Sequence, residues 1–389
     1  MEEFRDFLYS IPSLSQEPSP ILQEKGGKVL DNEDDQFDFD SDSDYSESPL
    51  TNSLNTQQPV DEKDDLILGP IRKSPPITGP VSLTYAVERF YMDVRDDFRI
   101  TSRGRPYVEG AHSRYETLYK WLKRHAAVYG EIDLFQVTDK WLKDFIHYLH
   151  HQSLSLNTVS GYIDNLHAVF RNLASDGLAL PKLTMRVSPE ATNAIYNSED
   201  ELQTLLTTKY SHEALTNASE IFVMQSYLGF RVGTLQKFLR DPQLYLFRQK
   251  DSWLVQIRTN KTGFIVTVPV KPFILEILER RNYTFEPAYF ERYYNTLIKL
   301  MAAEAGLTFP VGYSITYGNK CREFKDPKFE LMSSHTARRN FATNAFLAKI
   351  PVVNIMWITG HTTIEAFFRY IRCDSLANAL AMIEYDFFK

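Results

Sequence analysis

Residues 333–370, SSHTARRNFATNAFLAKIPVVNIMWITGHTTIEAFFRY, constrain this chain more than any other stretch. His335 and Arg338 stand three apart, a spacing that puts both side chains on one face of a helix. Pro351 suits the first turn of a second helix, and Val352, Ile355, Met356 and Trp357 give that helix an apolar face. Thr359-Gly360-His361 breaks it and leaves His361 at the turn. Ala366, Phe367 and Phe368 then carry a short helix to Tyr370. Compact helical segments thus gather cationic side chains, two imidazoles and one phenol within forty residues.

A phenol is a poor nucleophile at neutral pH, with an ordinary pKa of about 10. It becomes useful where cations stabilise developing charge and a base takes its proton. Arginine forks match phosphate oxygens, and histidine exchanges a proton near neutrality. A phosphodiester attacked by tyrosine is the natural target of such a set. Taken singly, a His-x-x-Arg is more often surface charge, and a Tyr after two Phe is more often core. Their order and proximity favour chemistry.

The net charge of −7 argues against a nucleic-acid partner only if the chain is uniform, and it is not. Residues 1–65 hold 18 acids and 4 bases, a net −14; the remaining 324 residues carry +7. A basic body with an acidic segment is compatible with nucleic-acid binding. Residues 1–80, with DNEDDQFDFDSDSDYSES at their centre, read as disordered, with a helical spacing of Phe4, Phe7, Leu8 and Ile11 at the start. This acidic run is not an EF-hand: Ser43 replaces the turn glycine, and Pro49 stands where the bidentate Glu belongs. Two cysteines, Cys321 and Cys373, make no disulfide framework, and no apolar run is long enough to span a membrane, so an intracellular protein is expected.

From 81 to 183 the periodicity predicts four or five helices. Leu83, Val87, Phe90 and Tyr91 form the first stripe; Tyr115, Leu118, Tyr119 and Leu122 the second; Trp141, Phe145 and Leu149 the third. The fourth helix is expected to open on Asn157 as N-cap and to stop at Gly177. Residues 184–197 read as a linker. Ser198 and Glu201 form a capping box, and a second helix is expected over 217–228, ending at Gly229. LYLF, SWLVQIRT and FIVTVPV alternate as strands from 244, with Lys261 at the tip of the last hairpin. Helices over 271–281 and 286–305 follow, and 308–332 reads as irregular. Leu376, Leu380, Ile383 and Phe387 predict one more amphipathic helix.

HTARRNFAT resembles the His-x-x-Arg box of the tyrosine recombinases, the phage-integrase family. ITGHTTIEAFFRY resembles that family's Gly-His box, followed nine residues later by the nucleophilic tyrosine. The wording is closest to integrases of Bacteroidetes mobile elements, and the resemblance covers roughly 82–389. GFRVGTL resembles the first arginine box, which makes Arg231 the first catalytic arginine; the acid usual three residues later is Thr234 here. Lys261 matches the family's hairpin lysine. SLSLNTVSGYIDNLHAVFRNLASDG resembles the core-binding domain, half of a clamp around the duplex.

The fold this resemblance implies is mainly α with a small antiparallel β-sheet. A helical, SAM-like core-binding domain (81–183) would precede an α+β catalytic domain (198–389). In the implied reaction Tyr370 attacks a scissile phosphate and forms a 3′-phosphotyrosyl bond. Arg231 and Arg338 clamp the non-bridging oxygens, Lys261 protonates the leaving 5′ oxygen, His335 assists proton transfer from the tyrosine, and His361 hydrogen-bonds the phosphate. Bond energy stays in the protein–DNA link, so no cofactor or metal is implied. Arg103, Arg105, Lys120, Lys123, Arg124, Lys320 and Arg322 are the candidate DNA contacts. The implied partners are double-stranded DNA, a homo-tetramer spanning two sites, and an accessory DNA-bending or directionality protein, in the bacterial or phage-host cytoplasm. Two other readings use the same residues: a DNA-binding protein that has lost catalysis, which Thr234 alone favours, and a type IB topoisomerase-like enzyme that relaxes DNA without partners.

Overall fold

The computed structural model describes residues 77–388, apart from 78, 102–103, 105, 109, 191–193, 261–262, 286–290, 372–381 and 384–385. The expected disorder and helix of the first eighty residues therefore lie almost wholly outside the described residues. The chain divides into two compact units, parted between Ser188 and Pro189.

Among the described residues, four α-helices build the N-terminal unit: α1 (Leu83–Arg95), α2 (His112–Tyr129), α3 (Asp139–His151) and α4 (Leu156–Ser175). α1 starts where the Ser82 hydroxyl accepts the Tyr85 N–H, and it buries Leu83, Val87, Phe90 and Tyr91. These meet Tyr115, Leu118 and Leu122 of α2, Phe145 and Leu149 of α3, and Val159, Ile163 and Leu166 of α4. His125 fills a gap between aromatic rings, with Tyr129, Tyr148 and Phe145 at centroid distances of 4.8, 5.1 and 5.3 Å. That burial pushes its imidazole pKa down. The α4 cap is Ser155, not Asn157: the Ser155 hydroxyl stands three residues before the Thr158 N–H and accepts it.

The division between the units falls within the stretch expected as a linker, 184–197, and residues at its two ends bond to different units. Thr184 and Met185 donate backbone N–H groups to the Asp139 carboxylate, and the His167 Nε2–H donates to the Met185 carbonyl at 2.8 Å. Asn197, in contrast, belongs to the C-terminal unit: its N–H donates to the Asn340 Oδ1 at 2.7 Å.

The C-terminal unit opens with α5 (Glu199–Thr207), whose Ser198–Glu201 capping box is present as expected. α6 (Glu213–Leu228) begins four residues earlier than its apolar run, because the His212 ring nitrogen caps it by accepting the Ala214 N–H. Buried almost all round, α6 is the central helix, and its one buried carboxylate, Glu220, pairs with Arg280 and Arg281. α7 (Val232–Arg240) follows. Pro242–Tyr245 then makes a helical turn instead of opening the LYLF strand, since the Asp241 carboxylate accepts the Leu244 N–H. The strand therefore starts at Leu246. β1 (Leu246–Gln249), β2 (Ser252–Arg258) and β3 (Ile265–Pro269) form an antiparallel sheet in that order. Val255, Ile257, Val266 and Val268 face inward.

Helices α8 (Pro272–Arg280) and α9 (Glu291–Glu304) follow. Residues 308–332 are not irregular. β4 (Pro310–Tyr317) and β5 (Lys320–Pro327) form a two-stranded hairpin, closed by Gly318 in the left-handed region with φ +61°. Tyr313 stacks on Phe324 across it at 5.3 Å. α10 (Ser334–Leu347), α11 (Val352–Thr359) and α12 (Ile364–Tyr370) close the unit. Pro351 occupies the α11 N-cap position rather than the first turn. Of the expected apolar face of α11, Ile355 is buried but Trp357 is 75% exposed. Leu376 and Leu380 of the last expected helix lie outside the described residues; Ile383 and Phe387 are exposed. No helix among the described residues is long and apolar enough to cross a membrane.

Candidate active site

The site is built around the end of α6. Gly229 caps that helix in the left-handed conformation, φ +68°, and its N–H returns to the Gln225 carbonyl. The Gln225 amide holds the turn in place by donating to the Phe230 carbonyl at 2.9 Å, while its oxygen accepts the Tyr294 hydroxyl at 3.0 Å. Arg231 comes next, half-buried at the N-cap position of α7.

Helix α10 lies against α6 and brings the second arginine to this turn. It opens with a Ser333–Thr336 capping box, which sets His335 in the first turn and Arg338 one turn later. Arg338 is 4% exposed, and its Nη1 donates to the Gly229 carbonyl at 2.7 Å. Asn340, fully buried, locks the helix in place. Its oxygen accepts the Asn197 N–H, and its amide donates to the Ser226 hydroxyl at 3.0 Å and the Asn197 oxygen at 3.3 Å.

Helix α11 ends at Gly360, φ +67°, and a Cβ built there would stand 3.9 Å from the Arg231 Nη1. The chain thus passes the Arg231 guanidinium immediately before His361. The His361 ring lies 4.9 Å from the Tyr370 ring, centroid to centroid. α12 is anchored by Phe367, buried with Ala342, Ala345, Ile355 and Ile371. Arg339, buried beside Arg338, sits with its guanidinium carbon 5.9 Å from the Tyr370 ring centroid.

The structure therefore brings Arg231, Arg338, His361 and Tyr370 to one place, with His335 on the Arg338 helix. Lys261 lies outside the described residues, but the loop that leads to it is tied to the site: the Asn260 amide donates to the Gly233 carbonyl, in the first turn of α7, at 3.1 Å. Arg338 and Arg339 donate to the backbone carbonyls of Gly229 and Ile195. Those two acceptors are neutral, so the bonds orient the guanidinium groups without cancelling their charge. The guanidinium fork matches the oxygens of a phosphodiester in geometry.

Candidate DNA contacts are dispersed. Lys120, Lys123 and Arg124 stand on α2; Lys120 pairs with Glu116 at 2.8 Å, and Arg124 lies over Trp121 at 4.6 Å. Lys320 and Arg322 are exposed on β5, with Arg322 over the Tyr317 ring at 5.4 Å. Arg103 and Arg105 lie outside the described residues. Reading the sequence missed Arg339, Thr359 and the packing role of Gly229. Arg339 had a visible signal, a second arginine directly after the first, but one step along a helix turns a side chain about 100° away and gave no reason to place it near Tyr370.

Residues 99–182 match the family described as the phage integrase SAM-like domain. No curated protein matches the chain. Among solved structures, the chain is similar to the XerH site-specific recombinase bound to palindromic difH substrate, with a TM-score of 0.53 and 14% identity over 77% of this chain and 84% of that one. It is similar to a lambda integrase dimer bound to a COC′ core site, with a TM-score of 0.53 and 14% identity over 76% and 78% of the two chains. It is also similar to the Tn1549 transposon integrase in complex with transposon right-end DNA, with a TM-score of 0.52 and 12% identity over 78% and 99%. The fold, mainly helical with small antiparallel sheets, is that of the tyrosine recombinases.

Proposed function

We propose that this chain is a site-specific DNA recombinase that cuts and rejoins duplex DNA through a tyrosyl-phosphate bond. The observation that carries the reading is the meeting of Arg231, Arg338, His361 and Tyr370 at the joined ends of α6, α10, α11 and α12. The phenol oxygen of Tyr370 attacks the scissile phosphorus, the 5′ oxygen leaves, and a 3′-phosphotyrosyl bond keeps the energy of the phosphodiester. Arg231 and Arg338 stabilise the charge that builds on the non-bridging oxygens. His335 assists removal of the phenol proton, Lys261 supplies a proton to the leaving oxygen, and His361 hydrogen-bonds the phosphate. Attack by a freed 5′ hydroxyl from a second duplex then completes exchange. That order of events requires several protomers on paired sites, and a tetramer meets it. An accessory DNA-bending or directionality protein would set the direction of exchange. The similarity to DNA-bound recombinases supports duplex DNA as substrate. Integration, excision or inversion of a mobile element in a bacterial cytoplasm is the setting in which this chemistry is used.

Covalent trapping tests the proposal. Wild type and Tyr370→Phe are incubated with nicked duplex from the ends of the chain's own element and run on a denaturing gel. A shifted DNA–protein band with wild type alone is the expected result. A band that persists in Tyr370→Phe moves the nucleophile elsewhere. Binding without any band supports the reading as a DNA-binding protein without catalysis, for which Thr234, buried in the first turn of α7 where the family carries an acid, is the sequence motive.

A further inference from the structure

The two hydrogen bonds of Thr359 determine which nitrogen of His361 carries its proton. Thr359 is the last residue of α11 and is fully buried. Its hydroxyl oxygen stands 2.8 Å from the Ile355 carbonyl and 2.8 Å from the His361 Nδ1. A hydroxyl has one proton to give. A carbonyl oxygen can only accept, so the Thr359 proton goes to Ile355. The second contact is then a hydrogen bond only if the Nδ1 is protonated and donates to the hydroxyl oxygen. The reverse arrangement, with Thr359 donating to a bare Nδ1, would leave two oxygens facing each other at 2.8 Å without a proton between them.

We infer that Thr359 is a positioning residue that holds His361 as the Nδ1–H tautomer, so that Nε2 is the nitrogen that takes up and releases the proton by which the ring engages the scissile phosphate. This rests on the function proposed above and adds a constraint to it. Neutral His361 offers only a lone pair at Nε2; as a hydrogen-bond donor to phosphate it must be the imidazolium. The charged and titratable groups around it fit a ring that changes state. The Arg231 guanidinium flanks Gly360 on one side, Tyr370 lies against the ring, and Arg339 stands over Tyr370. An anion entering this group favours the proton on Nε2, and its departure favours release. Fixing the other nitrogen with a buried acceptor confines the exchange to one atom.

The test reads the tautomer and the reaction separately. The full chain, labelled with nitrogen-15 in its histidine rings, gives long-range nitrogen–proton correlations for its nine histidines, and His361→Gln identifies the His361 pair. Wild type is expected to show a protonated Nδ1 and a bare Nε2 above neutral pH. Thr359→Val, which keeps the shape and removes the hydroxyl, is expected to lose that pattern and to slow adduct formation about tenfold to a hundredfold, the scale for losing the partner of an imidazole's second nitrogen. Thr359→Ser restores both. A bare Nδ1 in wild type overturns the inference, and so does a Val variant that keeps the wild-type spectrum. Should wild type form no adduct, the proposed function fails, while the spectra still decide the tautomer.

Discussion

Gly229→Ala perturbs the site through one methyl group, and the structure gives the magnitude. The residue sits at φ +68°, where a side chain costs about 1–2 kcal/mol. Its Cβ would also stand 2.7 Å from the Phe341 Cδ1 and 2.9 Å from the Cγ, closer than carbon atoms approach in folded proteins. Phe341 lies on α10 between Arg338 and the apolar cluster of α12, so its ring can yield only by moving that helix or tilting the turn. Overpacking of this kind costs about 1–3 kcal/mol. Either movement displaces the Gly229 carbonyl from the Arg338 Nη1. The variant should therefore melt lower, by about 2–4 °C per kcal/mol for a domain of this size, and should form adduct more slowly than its loss of folded protein explains. Calorimetry gives the first quantity and single-turnover trapping the second. Adding Phe341→Ala, which removes the colliding Cγ and Cδ1, should return the packing part and leave the backbone part, so the double variant loses less stability than the two single losses together. A Gly229→Ala protein as stable as wild type, or a cycle with no coupling, would refute the reasoning.

Lys328 is buried, with its Nζ 2.7 and 2.6 Å from the two oxygens of Glu201, and Lys328→Met leaves that carboxylate without its cation. The loss should be about 2–3 kcal/mol, below the range of about 3–5 for a fully buried pair, because Glu201 keeps the Ser198 N–H and some water. Chemical denaturation measures it, and recovery in Lys328→Met/Glu201→Gln marks the lost partner as the cause. The helical unit should also weaken in mild acid. Burial holds the imidazoles of His125 and His167 below their ordinary pKa, so the folded rings stay neutral while unfolded chains take up protons near pH 6.5. The unfolded state then binds more protons, and stability that is complete above about pH 6.5 is lost as the pH falls through the lower folded values. A melting temperature for this unit that does not fall between about pH 7.5 and pH 5 would contradict that account.

How far the sequence disclosed this molecule depended on whether a feature is local. Helix stripes such as Leu83-Val87-Phe90 and the Ser198–Glu201 box are set by spacing along one element, and they stand where the spacing puts them. The β4–β5 hairpin was legible in part. Tyr313, Ile315 and Tyr317 alternate ahead of Gly318-Asn319, but Lys320, Arg322 and Lys325 in the return strand mask the second half of the period. Contacts between distant segments left no signal. Nothing in Gly229 shows that Phe341 will lie on it, and nothing in Asn340 shows that Asn197 will complete its hydrogen bonds.

Those long-range contacts explain why the site residues meet. Arg231 and Arg338 are 107 positions apart in the chain, yet each is fixed by reference to one turn. Arg231 follows Gly229 by two residues, and Arg338 donates to the Gly229 carbonyl. Gly360 then passes close to the Arg231 guanidinium, and the next residue is His361, against the Tyr370 ring. Gly229 and Gly360 both end a helix in the left-handed conformation, but for different reasons. At Gly229 a Cβ would also collide with Phe341 of α10, whereas at Gly360 it would only reach ordinary contact with Arg231, so there the backbone conformation is the requirement. A Gly-x-Arg and a Gly-His are short enough to occur by chance in any chain. Here both belong to helix ends that converge, and that convergence gives the short motifs their chemical meaning.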